Sequence, residues 1–510
     1  MYYFEVAIRG SHGEKSIFTY HYEQKLAINT LVEVKLRAKK LVGIVWDEVP
    51  SKPTFKTQSI INASTIKLSP ELRSLAIWLS KHYVSTLGAS LLLVLPKSIS
   101  STPKPRKETI PSSDRGHVSD SPLTREQKAA LEQLSSIQRG TVLLHGDTGT
   151  GKTRIYAEIA KRALRSYKSV VILVPEIGMT QQLASDIEAL TPVKPISLHS
   201  GKTVAQRQKD WLEIDRTETP QIIIGTRSAL FAPLKNVGAI IVDEAHDSSY
   251  KSDAAPRFNA VRAASFLGDT HKCIVVLGSA TPSVADYALA TQKQAPIIRL
   301  KRQASGQKRE ITSTIVDRRQ RDQFTKSNYF SNQSIDAINT NLTTGKQTLI
   351  FLNRRGTAKL CLCKMCGWFA ECATCQLPLT YHGNKQLLIC HSCGVDYPMV
   401  TSCPSCGSVE LSYQTPGVQA LEAEVSKLFP DAKALRIDSD NAPDEGLVKH
   451  YQALYDGEID ILIGTQSIAK GLDLPKLNLE IIVDADAGLH MPDYLAGERM
   501  FQLLYQVMGR

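Results

Sequence analysis

Hydrophobic and polar positions alternate in short runs over the first fifty residues, at 2–8, 16–22, 30–37 and 41–49. Such runs, broken at Gly10, Gly13 and basic clusters, predict the strands of a small antiparallel β module. A helix is expected next, with Ser69 as N-cap, Pro70 at its first position, and Leu72, Leu75, Ala76, Leu79 and Tyr83 on its buried side. From 96 to 122 the sequence turns to Ser, Pro, Lys and Arg and hydrophobic residues nearly vanish, which predicts a flexible linker.

After Pro122 the pattern changes. Residues 141–145, 169–174, 221–225, 238–243 and 273–278 are near-continuous aliphatic runs, as expected for parallel strands buried on both faces. A second series follows at 347–352, 432–437, 459–464 and 479–484. Two successive α/β domains are the economical reading. Between the first and second strands of the later series lies a cysteine-rich insertion.

Composition adds bounds. At 510 residues the chain exceeds one core and should hold three or four domains. Aromatic residues are only 6%, so packing must rest on aliphatic side chains. A formal charge of +11 points to a polyanionic partner. The longest apolar run, at 91–95, is far short of the roughly 20 residues of a membrane span, so a soluble intracellular protein is expected.

The insertion carries four CxxC pairs: Cys363/Cys366, Cys372/Cys375, Cys390/Cys393 and Cys403/Cys406. Two residues between thiols let one tight turn present both sulfurs to one ion, and eight thiolates make two closed tetrahedral zinc sites. A disulfide framework is disfavoured, because no signal-peptide pattern is evident and CxxC pairs in a cytosolic chain favour metal or redox chemistry. Sequence order alone would join neighbouring pairs.

Gly146-Asp147-Thr148-Gly149-Thr150-Gly151-Lys152-Thr153 fits the G-x-x-x-x-G-K-[ST] loop, placed after a predicted strand and before a helical stretch. Its glycines let backbone N–H groups curl around a phosphate, and the helix N-terminus adds partial positive charge. Lys152 is expected to reach the β and γ phosphates and Thr153 to ligate magnesium. At the end of a neighbouring strand, Asp243 would hold magnesium through water and Glu244 would orient the attacking water.

Asp243-Glu244-Ala245-His246 followed by Gly278-Ser279-Ala280-Thr281-Pro282 resembles motifs II and III of superfamily 2 helicases. With Gly225-Thr226-Arg227, Val174-Pro175-Glu176-Ile177-Gly178 and the CxxC pairs, the chain resembles the primosomal protein N-prime family of bacterial replication-restart helicases. The resemblance implies two RecA-like lobes at 122–300 and at 301–360 with 408–510. It also implies a double zinc insertion at 361–407 and a DNA-binding module at 1–98; composition, not the resemblance, places a linker at 99–121 before the motor. Gln127 would read adenine. Arg227, His246, Tyr250, Lys251, Arg257, Phe258 and Thr281 would bind DNA or couple it to hydrolysis. Residues 353–356 resemble motif IV, 463–473 motif V, and 506–510, ending at Arg510, begin motif VI. The implied zinc pairing is nested: Cys363, Cys366, Cys403 and Cys406 share one ion, and Cys372, Cys375, Cys390 and Cys393 the other. Cys361 is expected to be a free thiol.

Stacking of bases on Tyr250 and Phe258, each contributing roughly 1–3 kcal/mol, with Lys251 and Arg257 on phosphates, is the expected mode of single-strand contact. The resemblance further implies that the first module captures the 3′ end of a nascent strand, and the basic stretch 35–40 fits phosphate contact. Three departures stand out: no winged-helix domain precedes the motor, the acid box has alanine as its third residue, and the chain stops inside motif VI. A fragment that binds ATP and magnesium but turns over weakly is therefore expected. The function implied is an ATP-driven 3′-to-5′ DNA helicase in the bacterial cytoplasm at the nucleoid. Its partners would be single-stranded and forked DNA, helicase-loading primosome proteins and single-stranded DNA-binding protein. The alternative is a DNA-binding primosome scaffold with ATP as a conformational ligand.

Overall fold

The computed structural model describes residues 1–11, 16–98, 122–301, 311–352, 361–383, 385–413, 417–437, 450, 452–465, 474–489 and 493–509. The linker expected at 99–121, the motif IV residues 353–356, the motif V residues 466–473 and Arg510 lie outside them. Two compact units, 1–307 and 308–510, divide the chain.

The first unit begins with strands β1 (Tyr2–Ile8), β2 (Ile17–Tyr22), β3 (Thr30–Leu36), β4 (Lys39–Val49), β5 (Gln58–Ser59) and β6 (Asn62–Lys67). They form one sheet in the order β5-β2-β1-β4-β3-β6. The last two were not legible as strands, because β6 carries Ile66 as its one buried residue and β5 none. Alternation explains the sheet's two buried faces. Phe4, Val6, Ile8, Val32 and Val34 fill one, while Ala7, Leu31, Val42 and Ile44 face the helices α1 (Pro70–His82) and α2 (Leu87–Val94).

Ser69 caps α1 as expected, its hydroxyl accepting from the Leu72 N–H, with Pro70 filling a position that needs no donor. Tyr83 departs from expectation: it is the C-cap of α1 and only half-buried, not part of the buried stripe. The hydrophobic cluster beneath α1 and α2 runs without interruption into the next domain, where it includes Leu143, Val171, Ile240 and Leu267.

That domain is a seven-stranded sheet of β7 (Gly140–Gly146), β8 (Ser169–Leu173), β9 (Ile196–Leu198), β10 (Ile222–Gly225), β11 (Val237–Val242), β12 (Ile274–Ser279) and β13 (Ile297–Leu300). All pair in parallel, in the order β13-β7-β12-β11-β8-β10-β9. Helices α3 (Arg125–Ser136), α4 (Lys152–Arg165), α5 (Ile177–Leu190), α6 (Val204–Arg216), α7 (Ala260–His271) and α8 (Val284–Gln292) connect them. Odd and even positions of the strands serve different cores: Val142, Ile172 and Ile241 pack with α4 and α5, whereas Leu143, Leu173 and Val242 pack with α7. The short edge strands β9 and β13 escaped the sequence reading, as three- and four-residue runs carry little periodic signal.

In the second unit, α9 (Asn332–Thr343) precedes β14 (Gln347–Leu352). The insertion then supplies β15 (Leu362–Cys363), β16 (Thr380–His382), β17 (Leu387–Ile389), β18 (Asp396–Pro398) and β19 (Leu411–Ser412), paired as two small antiparallel sheets. After α10 (Val418–Leu428) come β20 (Ala434–Ile437), β21 (Ile461–Gly464), β22 (Leu477–Val483) and α11 (Ala496–Met508). Here the parallel order is β20-β21-β14-β22, so the insertion does leave and re-enter between the first and second strands of this sheet.

Candidate nucleotide site and cysteine clusters

The phosphate loop leaves the end of β7 and enters α4. Gly149 and Gly151 both have φ of +77°, which a side chain would strain, and Gly151 caps the helix without a side-chain bond. Thr150 closes the turn by donating to the Asp147 carbonyl at 2.7 Å. Lys152 Nζ donates to the Gly146 carbonyl at 2.8 Å and lies 3.8 Å from Glu244 Oε1. Gln127 is 4% exposed; its Nε2 donates to the Thr150 carbonyl at 3.1 Å, while Oε1 accepts from the Thr124 N–H. Each end of the amide keeps one further hydrogen-bonding position, so the residue already braces the loop and still has capacity for a ligand. Thr148 and Thr153 sit half-buried on the loop and the first turn of α4.

Asp243 and Glu244 follow β11. Asp243 is buried, and desolvation together with the neighbouring Glu244 charge pushes its carboxyl up to about 6, against the pull of Lys152. A hydroxyl that the sequence reading missed steadies it: Tyr156 on α4 donates to Asp243 Oδ1 at 2.8 Å. Nothing in the sequence could pair Tyr156 with a residue 87 positions away. Glu244 stands at φ +44°, a left-handed backbone that turns its carboxylate back toward Lys152. Its Oε2 is buried, makes no hydrogen bond among the described residues and lies 3.5 Å from His246 Nδ1. His246 Nδ1 lies 2.7 Å from Ser279 Oγ, and that hydroxyl also accepts from the Thr281 N–H at 2.9 Å. Motif II is thereby joined to motif III.

The loop 247–259 closes beside them. Tyr250 and Phe258 are 1% and 2% exposed, so neither ring has a face open to a base, which corrects the stacking expected of them. Both are needed for packing: Tyr250 Oη donates to the Asp243 carbonyl at 2.6 Å, and Phe258 meets Phe231 edge to face at 5.3 Å. Arg227 holds the same loop through Nη1, which donates to the Ser249 and Lys251 carbonyls at 2.8 and 3.0 Å. A phosphate contact by Arg227 would have to use its other nitrogens. Lys251 and Arg257 are exposed.

In the insertion one turn is built four times. Gly367, Gln376, Gly394 and Gly407, each directly after a second cysteine, have positive φ, and their N–H groups donate to the carbonyls of Cys363, Cys372, Cys390 and Cys403. The sulfurs of Cys363, Cys366, Cys403 and Cys406 lie within 4.8 Å of one another, as do those of Cys372, Cys375, Cys390 and Cys393. Separations of 3.6 Å for Cys363–Cys406 and 3.7 Å for Cys372–Cys393 match the roughly 3.8 Å edge of a tetrahedron with 2.3 Å metal–sulfur bonds. This is the nested arrangement. Cys361 is buried and belongs to neither cluster. Four thiolates this close repel unless a divalent cation lies among them, and the donor set fits zinc. Tyr397 Oη, which accepts from the Ala373 N–H, lies 3.3 Å from Cys372 Sγ and draws that thiol down to about 6.

A parallel sheet bearing a glycine-rich loop after β7, an acid pair after β11 with β12 between the two strands, and a second parallel sheet are the parts of a helicase-type fold. Residues 124–289 match the DEAD/DEAH box helicase family, 412–510 the helicase conserved C-terminal domain, and 5–96 the 3′ DNA-binding domain family. The chain is 37% identical to the replication restart protein PriA of Rickettsia felis over 95% of its length and 74% of the relative's. Against the Bacillus subtilis protein of that name it is 38% identical, over 76% of this chain but 49% of the relative. The chain belongs to the replication restart protein PriA family. The helicase domain implies use of a nucleotide with Mg2+. No described helix is long and apolar enough to cross a membrane.

Proposed function

We propose that this protein is an ATP-dependent DNA helicase or translocase, moving 3′ to 5′, that recognises stalled or abandoned forks and initiates primosome assembly. The observation that carries the reading is the convergence of Lys152, Asp243 and Glu244 at one end of the parallel sheet. Lys152 and the loop's N–H groups would hold the phosphates, and Thr153 with Asp243 would hold magnesium. Glu244 would take the proton of the attacking water. Gln127 would contact adenine, and Arg510 would act on the transferring phosphoryl. Arg227, His246, Lys251, Arg257 and Thr281 would bind DNA or couple it to turnover, with Tyr250 and Phe258 acting from the core. Zinc in both cysteine clusters would be structural.

The division at 1–98, 99–121, 122–300, 301–360 with 408–510, and 361–407 belongs to the same proposal. So do forked and single-stranded DNA, primosome loading proteins and single-stranded DNA-binding protein as partners, and a cytoplasmic, nucleoid-associated location. Relatives named for replication restart and the match of 5–96 to a 3′ DNA-binding domain support the DNA side of this reading. The deciding experiment is strand displacement on a forked substrate by the wild type and by Glu244→Gln. Displacement lost in the variant while ATP and fork binding persist supports a motor. Fork binding without displacement in either protein favours a scaffold with ATP as a conformational ligand.

A further inference from the structure

One residue of the N-terminal module touches both ends of the loop that borders the ATP site. Tyr83 Oη accepts a hydrogen bond from the Asn259 N–H at 3.0 Å, and Lys251 Nζ lies over its ring, 5.0 Å from the centroid. Lys251 and Asn259 face each other as an antiparallel bridge that pinches the loop shut. Directly before the pinch, Tyr250 Oη donates to the carbonyl of Asp243, one residue before Glu244. Two contacts therefore separate the module from the acid pair.

The module's side of this contact is rigid. Trp78, one turn back on α1, meets Tyr83 edge to face at 5.8 Å and stacks on Phe266 of α7 at 4.8 Å. Asn259 caps that same helix, its side chain accepting from the Val261 and Arg262 N–H groups. Directly after Tyr83, Val84 sits at φ +48° and is 94% exposed. A β-branched residue is strained in that conformation, and the strain persists only because its neighbours are held.

The loop's side is not rigid by the same measure. Lys251 makes an exposed cation–π contact and donates to the Arg257 carbonyl at 2.5 Å. Such a contact is weak beside the attraction of a cation to a nucleic-acid phosphate, so a phosphate placed away from the ring would draw the ammonium off it. We propose that Tyr83 is a positioning residue that clamps the loop 247–259 shut and restrains ATP turnover until a DNA strand draws Lys251 away. This rests on the reading of the protein as a DNA-dependent ATPase. It goes beyond it by making the N-terminal module a brake on the motor as well as a DNA-binding surface.

The test uses the whole chain with Tyr83→Phe, which removes only the hydroxyl, and Tyr83→Ala, which removes both contacts. Amide exchange at Asn259 and ATP turnover are measured with and without an oligothymidine strand. In the wild type, Asn259 should be protected and lose protection when the strand is added. Tyr83→Phe should expose that amide without DNA, and Tyr83→Ala should also raise DNA-free turnover by about five-fold or more, narrowing the stimulation by DNA. Unchanged Asn259 exchange in Tyr83→Phe, or unchanged DNA-free turnover in a Tyr83→Ala protein that melts like the wild type, overturns the clamp. If the wild type hydrolyses no ATP with or without DNA, the functional reading fails, and the exchange measurements alone decide the clamp.

Discussion

Tyr156 Oη donates to Asp243 Oδ1 at 2.8 Å across the buried space between α4 and β11, and Gly278 leaves the room for it. A Cβ on Gly278 would stand 1.8 Å from that hydroxyl, so the glycine of motif III is required by the tyrosine of the helix after the phosphate loop. Tyr156→Phe should leave nucleotide binding intact and cost about 1 kcal/mol of stability. The bond to Tyr156 lowers the Asp243 pKa, so its removal should raise it further. In the magnesium-free protein the titration of Asp243, centred at about 6, should then move to higher pH. A pH profile of the variant that overlays the wild type would remove this role.

Glu244→Gln keeps the shape of the acid box but cannot accept a proton. Turnover should fall by about 10²–10⁴-fold while a fluorescent ATP analogue still binds. Lys152→Ala should weaken both, because on the proposed reading the ammonium would serve the phosphates, and it lies 3.8 Å from Glu244 Oε1.

Metal analysis should return two zinc ions per chain. Cys403→Ser should remove one and Cys361→Ser none, since Cys361 lies outside both clusters. Tyr397→Phe should keep both ions but release one faster to a chelator, because the hydroxyl beside Cys372 favours its thiolate form. Equal release from wild type and variant would contradict this.

Asp186 on α5 has its carboxyl raised to about 6 by burial. An acid whose folded pKa exceeds its unfolded value is best tolerated protonated, so the stability it permits declines as pH rises from about 4 to about 6. Asp186→Asn should therefore stabilise the protein by about 1 kcal/mol at pH 7 and have little effect near pH 4, as read by thermal melts at both values.

What the sequence determined by itself is whatever physics places within a few residues. Aliphatic runs marked the central strands, Ser69-Pro70 marked a helix start, and the loop ending at Lys152-Thr153 marked the turn from β7 into α4. The two-residue spacing in each CxxC pair marked the four turns that carry the cysteine clusters. These are local because backbone hydrogen bonds, caps and turns act between near neighbours. Tertiary structure decided the rest. Whether Tyr250 and Phe258 meet a base or the core depends on what folds over them, and composition cannot report burial. The union of Cys363/Cys366 with Cys403/Cys406 depends on the pairing of β15 with β19, which closes the base of the insertion; sequence order alone favoured neighbours. The contacts of Tyr156 with Asp243 and of Tyr83 with Asn259 join positions 87 and 176 residues apart. Only the packing of α4 beneath β11, and of α1 against α7, brings their polar atoms within hydrogen-bonding distance.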